Sequence, residues 1–398
     1  MQIDDVNEAS VRQDWFEEEA SETDDFPIKE YDITASPNDF NISTMFSFIE
    51  SGAVKIPGFQ RNYVWDIKRA SKLIESIIIG LPVPQIFLYE EARNKYLVID
   101  GQQRLMSIYY FIKQRFPKND KRFELRRIFD QNGRIPDSVL DDDTYFVKFN
   151  LRLTERLPNR SNGLNKLNYG TLGELTTIFG LRTVRNIIIK QNVPDADDDG
   201  ASSIYEIFNR LNTGGINLKP QEIRTNLYHS PFYEMLYRAN LDQRWRNILG
   251  FTEPDLHMKD IEIMLRALAM AIYGKQYKPS MTRFLNLTSK RATKFPPDRV
   301  EYIENVFYAF LDACKGLPEK AFFGSQSMRV NISFIDAVFF AHCTEAIRGN
   351  EINVPAVDPE KLQLLKEDTE FLMASQFDTA SAVNVTKRLE RSRDILLG

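Results

Sequence analysis

The sequence predicts an α+β protein in which a mixed α/β domain is followed by a domain built only of helices. Short β-type runs, Gln85 to Tyr89, Tyr96 to Ile99 and Ile187 to Ile189, alternate with helical repeats in the first 230 residues. From about Phe232 onward the apolar residues recur only at helical spacing. Ahead of both, the first thirty residues hold eleven acids against Arg12 and Lys29, too polar and too charged to build a core. The predicted organisation is an acidic tail over 1–35, the mixed domain over 36–230 and the helical domain over 231–398.

With 398 residues, 43% of them hydrophobic, both domains can bury a core. The net charge of −5 comes from the tail, and the body that follows is mildly basic. The low pI of about 5.6 therefore does not argue against nucleic acid. The tail reads as a solvating, disordered arm, or as a DNA mimic that competes for a basic groove. Cys314 and Cys343 stand in apolar helical contexts, which fits core residues in a reducing cytoplasm better than a disulfide framework. No signal peptide and no membrane-length apolar run is present, so the expectation is a soluble cytoplasmic protein with no membrane partner.

Along the chain, Asn41 to Ser51 reads as a short helix. Asp66 is a good N-cap for a helix in which Ile67, Ala70, Leu73, Ile74, Ile77 and Ile78 repeat, and Gly80 supplies its stop. A stiff Leu81-Pro82-Val83-Pro84 connector leads to a hairpin of Gln85 to Tyr89 and Tyr96 to Ile99, turning around Ala92 to Asn94. A strand over Tyr145 to Leu151, a helix over Thr171 to Ile178 and the isoleucine strand follow. In the last domain helices are expected over Met258 to Ala271, Arg299 to Ala313, Ile332 to Ile347, Lys361 to Ala374 and Asn384 to Leu397. The final one carries Arg388, Arg391 and Arg393, on an exposed face or as a contact for a partner or phosphate.

Four stretches carry chemistry. The first is Asp100-Gly101-Gln102-Gln103-Arg104, where a strand ends, a glycine turns the chain and Leu105, Ile108, Tyr109 and Ile112 begin a helical face. Unpaired N–H groups and the dipole at such a helix start, with a guanidinium beside them, suit a phosphate or another anion. The second is Pro57-Gly58-Phe59-Gln60-Arg61-Asn62-Tyr63-Val64-Trp65. Its aromatics, amide and cation could grip a flat ring with an attached charge, or Phe59, Tyr63 and Trp65 could be core plugs. The third, Phe208-Asn209-Arg210-Leu211-Asn212-Thr213-Gly214-Gly215, pairs glycines that permit positive φ with hydrogen-bonding side chains. A glycine C-cap explains the glycines but not the polar cluster. The fourth is Gln221-Glu222-Ile223-Arg224, whose Glu222 and Arg224 either orient the glycine loop or face water, and Glu75 either reaches the site or is solvated.

Two further patterns point elsewhere. Lys113, Arg115, Lys118, Lys121, Arg122, Arg126 and Arg127 lie among aromatics, as on a DNA-facing surface or a merely solvated face. Asp195 to Gly200 with Glu206 satisfies the calcium-loop string. Pro194 and the isoleucines precede it where a helix is needed, no second copy occurs, and Ser203 with Glu206 makes a capping box, so calcium is not expected.

Taken in order, the P-x-F-Q-R-x-Y-x-W, L-I-E-S, DGQQR, F-x-R-x-N-x-G-G and Q-E-I-R segments resemble the N-terminal domain of GmrSD-type modification-dependent restriction systems over roughly residues 38 to 230. The resemblance implies a ParB/sulfiredoxin-like fold and an NTP-binding, NTP-hydrolysing regulator or sensor in DNA restriction or phage defence. It also implies association with DNA, including modified DNA, and action through a separate nuclease or effector. Many such proteins continue into an HNH nuclease, but His229, His257 and His342 are far apart and lack its local pattern. No Walker lysine motif is present either.

In this reading Arg104 and the amides of Gly101 to Gln103 hold phosphates, Asp100 holds Mg²⁺ or polarises water, and Gln102 or Gln103 orients that water. Arg61 offsets charge in the transition state, and Phe59, Gln60, Tyr63, Asn209, Arg210, Asn212, Thr213, Gly214 and Gly215 complete the nucleotide or DNA site. The alternatives are a non-catalytic DNA- or nucleotide-binding module and a metal-dependent DNA nickase.

Overall fold

The computed structural model describes residues 15–16, 33–56, 63–122, 124–125, 128, 135–154, 162–192, 205, 207, 210, 219–255, 257–324, 327–349, 351–376 and 378–398. They fall into two compact units, Glu30–Leu218 and Lys219–Gly398, the second taking in Trp15 and Phe16.

The first unit runs β1 (Ile33–Asn41), α1 (Ile42–Glu50), β2 (Val54–Lys55), α2 (Ile67–Ile79), β3 (Ile86–Ala92), β4 (Lys95–Asp100), α3 (Gln102–Ile112), β5 (Arg115–Pro117), α4 (Asp137–Leu140), β6 (Phe146–Lys148), α5 (Leu175–Leu181) and β7 (Thr183–Gln191). Five strands form one mixed sheet in the order β1-β7-β3-β4-β2, and β5 and β6 form a separate antiparallel pair. In the large sheet β1–β7 and β3–β4 are antiparallel, while β7–β3 and β2–β4 are parallel. Leu97, Val98 and Ile99 are buried in succession along β4, as expected of an inner strand covered on both faces.

Local chemistry accounts for the elements that frame the site. The Asp66 carboxylate accepts from Arg69 N at 2.7 Å to start α2, and Gly80 ends it at φ 80°, ψ 20°. Helix α3 is buried from Leu105 through Phe111, more completely than its amphipathic spacing predicts. Phe111 of α3 meets Phe149 and Phe179 edge to face, and Phe116 meets Phe149 in the same way, in a contiguous core with Ile74, Leu88, Val98 and Leu105. The expected strand over Tyr145 to Leu151 shrinks to β6. The expected helix over Thr171 to Ile178 starts later, at Leu175, because Asn168 and Thr171 form a capping box around a single 3-10 turn.

Several cations of the basic cluster are already engaged. Lys113 meets Glu50 at 2.9 Å and Asp137 at 3.5 Å, Arg115 meets Asp143 at 2.8 Å, and Lys121 meets Glu124 at 3.4 Å. These pairs leave the cluster less positive than its sequence suggests. Arg126 and Arg127 lie outside the described residues, as does the calcium-like string from Asp195 to Gly200.

The second unit consists of α6 (Pro220–Leu227), α7 (Pro231–Asn240), α8 (Gln243–Leu249), α9 (Lys259–Tyr273), α10 (Met281–Ala292), α11 (Pro297–Ala313), α12 (Ile332–Arg348), α13 (Pro359–Glu367), α14 (Thr369–Gln376) and α15 (Ala382–Leu397). Helices α9 and α12 are buried along most of their length, and both cysteines lie in the core. Buried ion pairs link its elements: Arg246 with Asp260 at 2.8 Å, and Arg266 with Asp336 at 2.7 Å.

The single helix expected over Lys361 to Ala374 is two, because Asp368 leaves helical geometry and its carboxylate caps Phe371 N at 2.8 Å. The terminal helix is not a free basic face. Arg388 is 3% exposed and donates to Ala374 O, and Arg391 pairs with Asp368. No helix among the described residues is long and apolar enough to cross a membrane.

Candidate anion-binding turn

The site is organised by the turn between β4 and α3. Gly101 stands at φ 100°, and a Cβ there would lie 2.8 Å from Ile86 Cγ1 and 3.1 Å from Arg104 Nη2. Both the backbone angle and the crowding demand glycine. Gly101 has no side chain with which to cap α3, so the helix opens without the usual oxygen at its N-cap.

Arg104, one turn into α3, reaches back over this opening. Its Nη2 donates to Asp100 Oδ2 at 2.9 Å and to Gln85 O at 3.0 Å. The side chains of Arg104 and Asp100 are 17% and 41% exposed. Arg104 Nε is buried and has no hydrogen-bond partner. The guanidinium is thus held at one nitrogen beside a carboxylate that faces solvent.

Gln103 joins this turn to the aromatic loop. Its Oε1 accepts from Val64 N at 3.0 Å and Trp65 N at 3.4 Å. One turn on, the Ser107 hydroxyl lies 2.8 Å from the Tyr63 hydroxyl and also donates to Gln103 O at 2.7 Å. Of the two roles open for Tyr63, the structure gives the core plug: the ring is buried edge-on to Tyr110 and Phe116, and burial raises its pKa well above the usual range. Arg122 lies over the same ring at 5.4 Å and donates to Trp65 O at 2.9 Å. Arg69 covers Trp65 at 4.6 Å. Gln103, Ser107 and Tyr110 of α3 thus hold Tyr63, Val64 and Trp65 ahead of α2.

The remaining site residues divide. Phe59, Gln60, Arg61, Asn209, Asn212, Thr213, Gly214 and Gly215 lie outside the described residues, and Arg210 is exposed. Glu75 is not a solvated glutamate. It is buried on α2 and accepts from Asn162 Nδ2 at 2.7 Å. Glu222 and Arg224 do not face water either: each is under 5% exposed. Glu222 caps α6 through Lys219 N at 2.6 Å, and Arg224 donates to Asn286 Oδ1 at 2.9 Å. Their partners belong to the helical unit.

Three positioning residues escaped the sequence reading. The Gln85 carbonyl and Ile86 shape the turn, and Ser107 fixes Tyr63. Nothing in their residue types signals this, since one acts through its backbone and another through bulk. Among the described residues no group of three or more His, Cys, Asp or Glu side chains could hold a metal. A magnesium ion carried in with phosphates needs only one or two protein carboxylates, so Asp100 fits that mode and no other.

A mixed sheet whose inner strand passes through a required glycine into an arginine-bearing helix, clamped to an aromatic loop, defines an α+β domain with an anion-suited turn. Residues 42–229 match the family described as "GmrSD restriction endonuclease, N-terminal domain". An uncharacterized protein of Methanocaldococcus jannaschii is 23% identical over 245 residues, covering 49% of this chain and 41% of its own length. The chain therefore spans about two fifths of that relative. No solved structure gives a significant match.

Proposed function

We propose that the first unit is a ParB/sulfiredoxin-like, nucleotide-responsive domain of a DNA restriction or phage-defence system. In this reading it binds an NTP with Mg²⁺ at the Asp100–Arg104 turn, hydrolyses it, and regulates a separate effector acting on DNA. The observation that supports it is the state of Arg104: a guanidinium engaged through one nitrogen only, beside an uncapped helix start built on an obligatory glycine.

Each residue of the turn has a role in this reading. Arg104 and the α3 N-terminus hold phosphate oxygens. Asp100 would hold the metal, which would supply charge neutralisation at the phosphates. Gln103 directs its carboxamide oxygen to Val64 N and Trp65 N, and in this reading Gln102 or Gln103 orients the water. Gln103 is a positioning residue for the loop that carries Phe59, Gln60 and Arg61.

A second reading, a module that binds nucleotide or DNA without turnover, is favoured by the Asp100–Arg104 pair itself, because a carboxylate committed to arginine is a poor base. One experiment separates them. Phosphate release from ATP, GTP, CTP and UTP is measured with Mg²⁺, with and without modified DNA, for the wild type and Arg104→Ala. Turnover that the variant loses by about 100-fold or more, while still melting cooperatively, supports the enzyme. Nucleotide binding with no turnover supports the module. Binding of no nucleotide refutes both as nucleotide readings, and DNA nicking lost in Asp100→Ala would replace them with the nickase.

A further inference from the structure

Trp15 and Phe16 are the only aromatic residues in the first 25, and Glu17, Glu18 and Glu19 follow them. They sit on the helical unit through contacts of four kinds. The Trp15 ring meets Phe251 edge to face at 4.3 Å, and its Nε1 donates to Asp255 Oδ2 at 3.3 Å. Val330 N donates to Trp15 O at 3.1 Å, and Phe16 forms a parallel β-bridge with Val330. The ammonium of Lys259 lies 4.8 Å from the centre of the Phe16 ring.

This set has the form of short-peptide recognition: two adjacent aromatic anchors, main-chain pairing at one edge and a polar group that fixes register. The receiving groups do not end at the pocket. Lys259 pairs with Glu262 at 2.5 Å, Glu262 faces Arg224 at 3.5 Å, and Arg224 also holds Gln221 and Asn286. Asp255, which accepts from Trp15, accepts from Lys259 N at 3.1 Å as well. An unbroken run of charged contacts therefore leads from Phe16 to α6, the helix that follows the Asn209–Gly215 stretch in sequence.

We propose that the helical unit carries a recognition site for an aromatic–acidic peptide, filled in cis by Trp15–Phe16, and that filling it braces α6 through Lys259, Glu262 and Arg224. The ligand class is a tryptophan–phenylalanine dipeptide in an acidic segment. The site is independent of the nucleotide reading. Occupancy is reversible, so the same segment supplied in trans fills a vacated pocket.

The test uses the full chain and a Trp15→Ala/Phe16→Ala variant, with a fluorescein-labelled peptide of residues 8–22 read by anisotropy. The variant is expected to bind the peptide at least about 10-fold more tightly than the wild type, whose own segment competes at an effective concentration of order millimolar. Adding Phe251→Ala to the variant abolishes that binding. Hydrogen exchange of the amides of residues 221–227 is faster in the variant and slows again when the peptide is added. Equal binding to both proteins, no binding to the variant, or unchanged exchange in α6 overturns the proposal. If the double variant does not fold, Phe16→Leu is read by the same criteria.

Discussion

Replacing Gly101 by alanine tests the turn on which the candidate site is built, and Gly52 supplies an internal control. Both glycines have positive φ, 72° at Gly52 and 100° at Gly101, but a Cβ at Gly52 meets nothing within 4 Å. Gly52→Ala therefore carries only the left-handed backbone penalty, less the gain from a stiffer unfolded chain, a net of about 0.5–1 kcal/mol. Gly101→Ala carries a similar penalty and adds a methyl 2.8 Å from Ile86 Cγ1, on a side chain with no exposed surface at the start of a strand. Overpacking of that kind costs about 1–3 kcal/mol, so the total is about 1.5–4 kcal/mol. In a unit of this size that lowers Tm by roughly 5–15 °C, against a few degrees for Gly52→Ala. Urea and thermal unfolding of the two variants side by side provide the measurement. If they agree within about 0.5 kcal/mol, the close approach of Ile86 to the turn is wrong, and with it the case that glycine is obligatory there.

In the helical unit, Arg246→Ala leaves the Asp260 carboxylate buried without its cation and is expected to cost about 3–5 kcal/mol in urea unfolding, whereas Arg246→Met with Asp260→Leu recovers most of it. A single-variant cost under about 1 kcal/mol would contradict this. Burial raises the Glu262 pKa, but the charges of Lys259 and Arg224 outweigh burial and hold the carboxyl at about 2 against an ordinary 4.5. A carboxyl depressed in the folded state contributes stability that is complete above its unfolded pKa and is lost as pH falls toward the folded one. Between pH 4.5 and 2 the unit should lose roughly 3 kcal/mol on this account, and Glu262→Gln should flatten that part of the stability profile. A profile that Glu262→Gln leaves unchanged would refute it.

What the sequence revealed and what it hid follow from where the information resides. Helix α2 was legible to its ends because Asp66 and Gly80 are side-chain and backbone signals that act within one turn. The β4–α3 turn was legible because a change of hydrophobic period flanks a glycine. Strand β1 was not: Ile33–Asn41 contains Pro37, Asn38 and Asp39, all poor strand formers, and it forms because it lies at the sheet edge along β7. Edge position is a tertiary fact that no window of sequence contains. The same holds for charge. Lys113, Arg115 and Arg391 read as available cations until their acids, up to 63 residues away in the case of Glu50, are brought beside them. In the candidate site, the motif residues were visible by type, but the bonds from Val64 N and Trp65 N to Gln103 were not, because only folding brings those amides into reach.

The Asp100–Arg104 pair carries the last consequence. A partly exposed single ion pair contributes at most about 1 kcal/mol, so a phosphate that offers charge-assisted hydrogen bonds can take the guanidinium from Asp100 with little loss of fold stability. The carboxylate, however, stays where it is. At a separation of about 5 Å, with an effective dielectric constant between about 20 and 80, it repels each unit of phosphate charge by roughly 1–3 kcal/mol. That is comparable to what the helix N-terminus and one arginine supply. On the nucleotide reading, binding must then depend steeply on a divalent cation that reverses the sign of this contact. Asp100→Asn removes the repulsion and the metal ligand together. The variant should bind ATP without Mg²⁺ about 10-fold more tightly than the wild type does, show little further gain when Mg²⁺ is added, and release no phosphate. Calorimetry with and without Mg²⁺ reads all but the last of these. A wild type that binds nucleotide equally well in the presence of chelator would place the phosphates away from Asp100 and off this turn.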